Sequence, residues 1–209
     1  LWVDVAGVAD HEVVLVRNGV DLDRFAPGDV AAARRELELP TEVPLVLGVG
    51  RLVNSKGFHR AVEALPQLDG AHLVLVGDGP ERAALERAAP PGRLHCLGSL
   101  PAARTALAYR ACDALVLPTE REGWPNVVTE ALASGLPVVA SDVGAVSEMI
   151  FDPVAGAAVA VGDDAALVVE LQRVLKSPPD RSKIRALATR FSWEGPVGQL
   201  AELLAKTLR

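Results

Sequence analysis

Residues 114–140, ALVLPTEREGWPNVVTEALASGLPVVA, contain two apolar runs that flank a polar loop and a helical pattern. The runs 114–117 and 138–140 are short and rich in Val, Leu and Ala, which is typical of buried strands. Pro125 favours a helix that begins at this point, because proline fits the first helical position. Parallel neighbours in a sheet need a long crossover, which is usually a helix. The stretch therefore predicts one strand–helix–strand unit of a parallel sheet.

The same alternation extends over most of the chain. Further strands are predicted at residues 13–16, 45–49, 73–76, 94–97 and 157–161. Helices are predicted at residues 57–65, 81–89, 102–110, 126–134, 146–150 and 164–175. This pattern predicts an α/β fold, a doubly wound parallel sheet with helices on both faces. We expect residues 1–181 to form this domain and residues 182–209 to form a helical C-terminal tail, broken at Gly195 and Pro196.

Composition excludes several classes of function. The net charge is −6 over 209 residues, and the basic residues are scattered, so broad electrostatic binding to nucleic acid or to an anionic membrane is not expected. No apolar run reaches the length of a membrane span, and no signal peptide is visible. Cys96 and Cys112 lie in apolar segments without metal-ligand spacing, which indicates buried free thiols in a reducing compartment. Because the chain begins with Leu rather than Met, we expect it to be part of a longer protein.

Glycine-rich and polar residues follow the predicted strands, where helix N-termini in such sheets point at ligands. Gly50–Gly57, GRLVNSKG, places Arg51 and Lys56 in a loop between a strand and a helix. Its glycines allow close backbone approach, and its two cations could hold a diphosphate. Cations near a helix N-terminus oppose the helix dipole, so a bound anion would explain them better than a plain solvated surface.

Glu122 and Glu130 lie in the opening stretch, the first in the loop before the helix and the second in its second turn. Taken singly, Glu122 is explained as an acid near a helix start, and Glu130 as an exposed helical residue. Together with Arg51 and Lys56 on a neighbouring loop, they indicate one pocket at the helix N-terminus. Both carboxylates would then border that pocket.

Three other patterns are better explained by structure than by chemistry. Gly77–Glu81, GDGPE, lacks the spacing of a dinucleotide fingerprint and indicates a tight turn. Asp21 and Asp23 form a D-x-D pattern that holds a divalent metal in some enzymes, but here it follows a turn signal and favours capping. The histidines, which share no ligand spacing, are expected to be structural or exposed. They are His11, His59, His72 and His95.

These motifs resemble those of the retaining GT-B glycosyltransferases called group 1 or family 4. NGVDLDRF, VGVGRLVNSKG, LVLVGDGPER, HCLGSL, the segment from ACDALVLPTE to DVGAVSE, and FSW occur in the family's order. The most specific mark is E-x7-E, Glu122 to Glu130. The resemblance is to the C-terminal, donor-binding half, which is a Rossmann-like domain. Trp124 stands where Phe is usual, and Ala145 where a second Gly is common.

The resemblance implies a role for each matching residue. Arg51 and Lys56, beside Gly50, would hold the donor's diphosphate and stabilise the leaving phosphate. Glu130 would accept hydrogen bonds from the ribose hydroxyls. Glu122 would lie against the donor sugar, either as a nucleophile or as a positioning group. The remaining contacts would come from the backbone. Gly123, Trp124 and Pro125 would lie against the sugar, and the amides of Val127 and Val128 would meet the phosphates. Backbone around Leu97 and Gly98 would contact the base.

The resemblance also implies what this chain lacks. The substrate would be a nucleotide-diphosphate sugar, with no other cofactor and no metal, and the acceptor would be held chiefly by a missing N-terminal domain. We expect a cytoplasmic enzyme that transfers the sugar with retention, with any association at the inner membrane face made through the missing half, and a fragment inactive alone. Two alternatives are a stand-alone nucleotide-sugar binding module and another GT-B enzyme such as a nucleotide-sugar epimerase.

Overall fold

The computed structural model describes residues 13–207 of the chain. Within them a single sheet contains six strands, which are β1 (Leu45–Val49), β2 (His72–Val76), β3 (Leu94–Gly98), β4 (Ala114–Leu117), β5 (Val138–Ser141) and β6 (Gly156–Val159). The α-helices are α1 (Val30–Glu36), α2 (Phe58–Ala64), α3 (Arg82–Ala88), α4 (Ala102–Ala111), α5 (Asn126–Ala133), α6 (Val146–Met149), α7 (Asp164–Lys176), α8 (Arg181–Ala188) and α9 (Glu194–Thr207). Short 3-10 turns occupy Asn54–Lys56, Leu65–Gln67, Pro153–Ala155 and Thr189–Phe191.

All strand pairs are parallel, and the order across the sheet is β3-β2-β1-β4-β5-β6. This order belongs to the Rossmann-like doubly wound fold, in which the chain reverses its direction of travel across the sheet between β1 and β4. The predicted fold class is therefore confirmed. Strands β1, β2, β4 and β5 are buried on both faces, which explains why their sequences are continuous apolar runs.

Each face of the sheet carries its own apolar core. On one face, Leu45, Leu47 and Leu115 pack with residues of α1, α4, α5, α6 and α8. On the other face, Val46, Leu73 and Val116 pack with residues of α2, α3 and α7. Alternate strand residues thus enter opposite cores, as the period of two requires. Helices on both faces leave the carboxyl edge of the sheet to the loops.

The strand predicted at residues 13–16 is wrong. This segment has no regular secondary structure, and the side chains of Val13, Val14 and Leu15 are exposed. The edge strands of the sheet are β3 and β6, and this segment pairs with neither. The segment is instead tied to the domain at Val20, whose amide donates to the Phe191 carbonyl at 2.8 Å.

Helix α1 was not predicted, although its start carries a clear signal. The side chain of Asp29 caps it by accepting from the Ala32 amide at 2.9 Å. The helix is only seven residues long, too short to show a periodic apolar face.

The C-terminal segment is helical, as predicted, but its break lies earlier than predicted. Helix α8 ends before the 3-10 turn Thr189–Phe191, and α9 continues through Gly195 and Pro196. Pro196 is tolerated because it lies in the first turn of α9, where its missing N–H has no helical partner. Residues up to Phe191 pack on the sheet domain, and Arg185 donates to the carbonyls of Leu22, Phe25 and Ala133. A contact between the tail and another domain stays a prediction.

The two cysteines differ in burial. Cys112 is fully buried and Cys96 only partly, and both are free thiols. Burial raises the pKa of the Cys96 thiol to about 11, so it is protonated at neutral pH. No helix in the described part of the chain combines the length and apolarity that a membrane span requires.

Candidate functional site

The loops after β1 and β4 meet at the switch point of the sheet, where ligands bind in doubly wound folds. The Ser55 carbonyl accepts from the Glu120 amide at 3.0 Å and from the Thr119 hydroxyl at 3.1 Å. Gly57 has a φ of 69°, and a Cβ there would lie 2.0 Å from the Pro118 carbonyl oxygen. Only glycine fits where the two loops cross, because it has no Cβ, so Gly57 allows the loops to stay in contact.

Lys56 and Glu122 form an ion pair between these two loops. The Nζ atom of Lys56 donates to Oε1 of Glu122, and both side chains are largely shielded from solvent, with exposed fractions of 27% and 15%. The convergence of the two loops on one crevice, inferred from sequence, thus occurs in the structure at these two residues. A direct pair between them was not predicted.

The corner after Glu122 is held from the β5–α6 loop. Gly144, at a φ of 57°, lies so close that a Cβ would be 2.3 Å from the Glu122 carbonyl oxygen. The next residue, Ala145, donates its amide to the Gly123 carbonyl at 3.0 Å. Pro125 is the N-cap of α5, and the helix begins at Asn126, as predicted. The backbone from Glu122 to Pro125 is therefore fixed on both sides.

Glu130 lies in the second turn of α5, as predicted, and its carboxylate is partly buried. The hydroxyl of Tyr109, a fully buried residue of α4, donates to Oε2 of Glu130 at 2.7 Å. Burial raises the pKa of the Glu130 carboxyl, while the hydrogen bond from Tyr109 and the charge of Arg24 oppose this. One carboxylate oxygen thus accepts from Tyr109, and the other has no hydrogen-bond partner among residues 13–207. Sequence reasoning missed Tyr109.

At the start of α5 the two predicted amides differ. The Val128 amide donates to the Pro125 carbonyl at 3.0 Å and is not free. The Val127 amide has no acceptor among residues 13–207. The Val127 N–H is therefore unpaired at this helix end, where backbone N–H groups are suited to an anion.

Arg51 borders a separate depression at the ends of β1, β2 and β3. It has a volume of about 280 Å³, and its wall includes Gly50, Gly77, Ser99 and Leu100. Arg51 is exposed and, within residues 13–207, forms no ion pair. Leu97 and Gly98, whose backbone was expected to contact a base, end β3 just before Ser99. The Gly98 carbonyl already accepts from the Gly77 amide at 2.8 Å. The wall residues that follow it, Ser99 and Leu100, were not singled out in the sequence.

Trp124 lies beside a groove of about 720 Å³ that includes neither Lys56 nor Glu122. Its ring packs edge-on against Phe191 at a centroid distance of 6.0 Å, and the Arg17 guanidinium lies over it at 4.7 Å. Arg17 also pairs with Glu148 at 2.8 Å. The indole therefore joins the segment before Val20 to the end of the domain, in addition to bordering the predicted sugar site.

The remaining patterns take structural positions. Asp21 closes a turn by accepting from the amides of Asp23 and Arg24 at 3.2 and 3.0 Å. His72 and His95 lie side by side, with Nδ1 and Nε2 3.0 Å apart, and burial lowers the pKa of both. His11 lies outside the described residues. Among residues 13–207, no three side chains of His, Cys, Asp or Glu form a group that could hold a metal ion.

Fold and site together define a Rossmann-like α/β domain with charged loops converging at the switch point of its sheet. The chain belongs to the family of group 1 glycosyl transferases, whose family model matches residues 29–191. The resemblance inferred from its motifs, to the C-terminal domain of GT-B glycosyltransferases, is confirmed.

Individual relatives agree with this family. The D-inositol 3-phosphate glycosyltransferase of Mycobacterium tuberculosis is 33% identical over 216 residues, covering 95% of this chain but 44% of the relative. Sucrose-phosphate synthase from Thermosynechococcus elongatus is 29% identical with a TM-score of 0.79, covering 93% of this chain and 52% of that one. Anabaena HepE, solved with UDP and glucose, shares the fold with a TM-score of 0.86 at 24% identity, over 97% and 59% of the two chains. The chain thus spans less than half the length of its mycobacterial relative.

Proposed function

We propose that this chain is the donor-binding domain of a glycosyltransferase that transfers a sugar from a nucleotide-diphosphate sugar with retention of configuration. The observation that carries the proposal is the meeting of Lys56 and Glu122 at the switch point, in a chain of the group 1 family. A cation suited to phosphate and a carboxylate suited to sugar hydroxyls are thereby adjacent, as the bond between phosphate and sugar requires.

Two relatives support a donor of this chemistry. The mycobacterial relative is named as a glycosyltransferase, and HepE was solved with UDP, with UDP-glucose, and with UDP and glucose together. Doubly wound folds bind ligands at the switch point of the sheet, and the meeting of Lys56 and Glu122 there supports the same location for a donor in this chain.

In this proposal the site is divided by chemistry along the donor. Lys56 binds the diphosphate together with the Val127 amide at the start of α5, and Arg51 reaches it from the neighbouring depression, because cations and an unpaired N–H are the groups suited to phosphate. Glu130 accepts from the ribose hydroxyls through the oxygen that Tyr109 does not occupy. The base lies in the depression beside Ser99 and Leu100, and Glu122 faces the sugar.

The reaction breaks the bond between the anomeric carbon and the diphosphate oxygen, and the electron pair leaves with the phosphate. Arg51 and Lys56 stabilise the charge that develops on this oxygen. The sugar gains oxocarbenium character beside Glu122, whose negative charge favours it. Retention follows when the acceptor oxygen bonds to the anomeric carbon on the face that the phosphate has left, and the proton of the acceptor hydroxyl passes to the departing diphosphate oxygen.

The acceptor, in this proposal, is held by a part of the parent protein outside this chain, which spans 44% of its mycobacterial relative. Any association with a membrane would also be made there. The 209-residue chain then binds donor without transferring sugar. Binding needs no divalent metal, because cationic side chains and an amide neutralise the diphosphate.

Calorimetric titration with UDP, GDP, ADP and their glucose or mannose forms tests this function, with and without EDTA. We expect one base to bind best, an affinity unchanged by EDTA, and no transfer to an acceptor by this chain. For the parent protein, NMR of the product should show the anomeric configuration of the donor. Robust transfer by the 209-residue chain, or an inverted product, would contradict the proposal.

A further inference from the structure

Lys56 and Glu122, the two groups that a donor would bind, are paired with each other. The ammonium that is suited to the diphosphate is in contact with the carboxylate that is suited to the sugar. Within residues 13–207, neither side chain forms another ion pair or hydrogen bond. A ligand that takes Lys56 must therefore separate it from Glu122, or leave the carboxylate beside its own phosphate.

Only the side chains can make this exchange. The backbones of both residues are fixed, by the Ser55 carbonyl on one loop and by Gly144 and Ala145 below the other. Lysine has a flexible stem, and a partly shielded pair costs free energy to separate unless both charges find new partners. Separation of the pair is thus coupled to what the ligand offers to each side chain.

We propose that the Lys56–Glu122 pair makes the site select nucleotide-sugars over nucleoside diphosphates. This inference rests on the proposed function. A nucleoside diphosphate offers a partner to Lys56 but leaves the Glu122 carboxylate beside a phosphate. A nucleotide-sugar offers phosphate to Lys56 and hydroxyl donors to Glu122, so both charges are satisfied. After transfer the sugar is gone, the pair forms again, and the nucleoside diphosphate is released.

The test compares Glu122→Gln with the unchanged chain, using UDP, GDP, ADP and their sugar forms as probes. Glu122→Gln frees Lys56, so the affinity for the nucleoside diphosphate should rise about 3- to 10-fold, as expected for loss of a competing ion pair. The preference for the nucleotide-sugar should shrink by a similar factor or more. Glu120→Gln is the matched control, because it removes the same charge from the same loop and has no ion pair with Lys56. It should leave both affinities unchanged.

A double-mutant cycle separates this exchange from simple repulsion between Glu122 and phosphate. In a Lys56→Gln background, Glu122→Gln should no longer raise the affinity for the nucleoside diphosphate. A rise of equal size in both backgrounds would mean that repulsion alone acts, and it would overturn the proposal.

The remaining outcomes are also decisive. If Glu122→Gln lowers the melting temperature and leaves both affinities unchanged, the pair only stabilises the loops and the proposal is wrong while the proposed function stands. If neither protein binds any probe, both are overturned.

Discussion

Glu122 and Glu130 belong to one motif, but their surroundings differ. Glu122 lies in a loop and is paired with a flexible cation from another loop. Glu130 lies in a helix and is held by the hydroxyl of a fully buried tyrosine. A ligand can replace the partner of the first, whereas the partner of the second stays in place. Under the proposed function, this difference would make the ribose end of the site preorganised and let the sugar end rearrange on binding.

The largest effect is expected from the two cations, and their difference sharpens this comparison. Arg51→Ala removes a charge-assisted bond to phosphate from a residue without an ion-pair partner, which should weaken nucleoside diphosphate binding by roughly 1.5–3 kcal/mol, or about 10- to 150-fold. Lys56→Ala should cost less, because the unchanged protein must first separate Lys56 from Glu122. Calorimetry at two salt concentrations measures both, and the losses should shrink as salt rises.

Arg35→Ala, on the exposed side of α1, is the control for a lost positive charge. A larger loss for Lys56→Ala than for Arg51→Ala would contradict the idea that Glu122 competes for Lys56.

Glu130→Gln should have the next largest effect. The amide keeps the size of the side chain but accepts hydrogen bonds more weakly than a carboxylate, a difference of about 1 kcal/mol or roughly fivefold in affinity. The loss should appear with the ribonucleoside diphosphate and be nearly absent with an analogue that lacks both ribose hydroxyls. Equal losses with the two ligands would show that Glu130 does not bind the ribose.

Tyr109→Phe tests whether the ribose end is preorganised. It removes the donor to Glu130 while keeping the ring that packs edge-on against Phe25 at 5.6 Å. We expect unfolding in urea to become easier by about 1 kcal/mol. Ribonucleoside diphosphate binding should weaken a few-fold, again without effect on the deoxygenated analogue. Lower stability without this ligand-dependent difference would leave Tyr109 a structural residue only.

The sheet and the location of the site could be predicted because both follow from local pattern. Strands buried on both faces are continuous apolar runs, and charged loops after those runs must meet at one edge of the sheet. The segment at residues 13–16 has the same apolar pattern, but a run of four residues does not reveal whether a neighbouring strand exists. Short runs therefore predicted the six sheet strands and one false strand equally well.

The partners within the site could not be predicted, because they depend on side-chain directions that spacing does not determine. Lys56 and Glu122 lie in two loops that are far apart in the sequence, with β2, β3 and β4 between them. Tyr109 did leave a signal, since a phenol on an otherwise Ala-rich buried helix face needs a hydrogen-bond partner. That signal predicts a partner without naming it.

The smallest expected effect is the part of the pH dependence of the unfolding free energy that Glu130 contributes. Burial raises the pKa of this carboxyl above its ordinary value of 4.5 in the folded protein. The folded state then binds the proton more tightly than the unfolded state, so this group stabilises the fold most below its unfolded pKa. That contribution is lost as pH rises through the folded pKa, and at neutral pH the buried charge lowers stability.

Glu130→Gln removes this titration and keeps an oxygen that can accept from Tyr109. The unfolding free energy of the variant, relative to that of the unchanged chain, should therefore increase as pH rises above the ordinary carboxyl pKa of 4.5 and level off above the folded pKa. Urea unfolding across this range measures it, with Glu63→Gln on α2 as a control for the loss of one exposed negative charge. The same substitution would then weaken ribose binding and strengthen the fold at neutral pH, as expected when a buried charge is kept for a ligand. If the difference in unfolding free energy stays constant with pH, or equals that of Glu63→Gln, then burial of the Glu130 charge does not lower stability. The contrast with Glu122 would then rest on geometry alone.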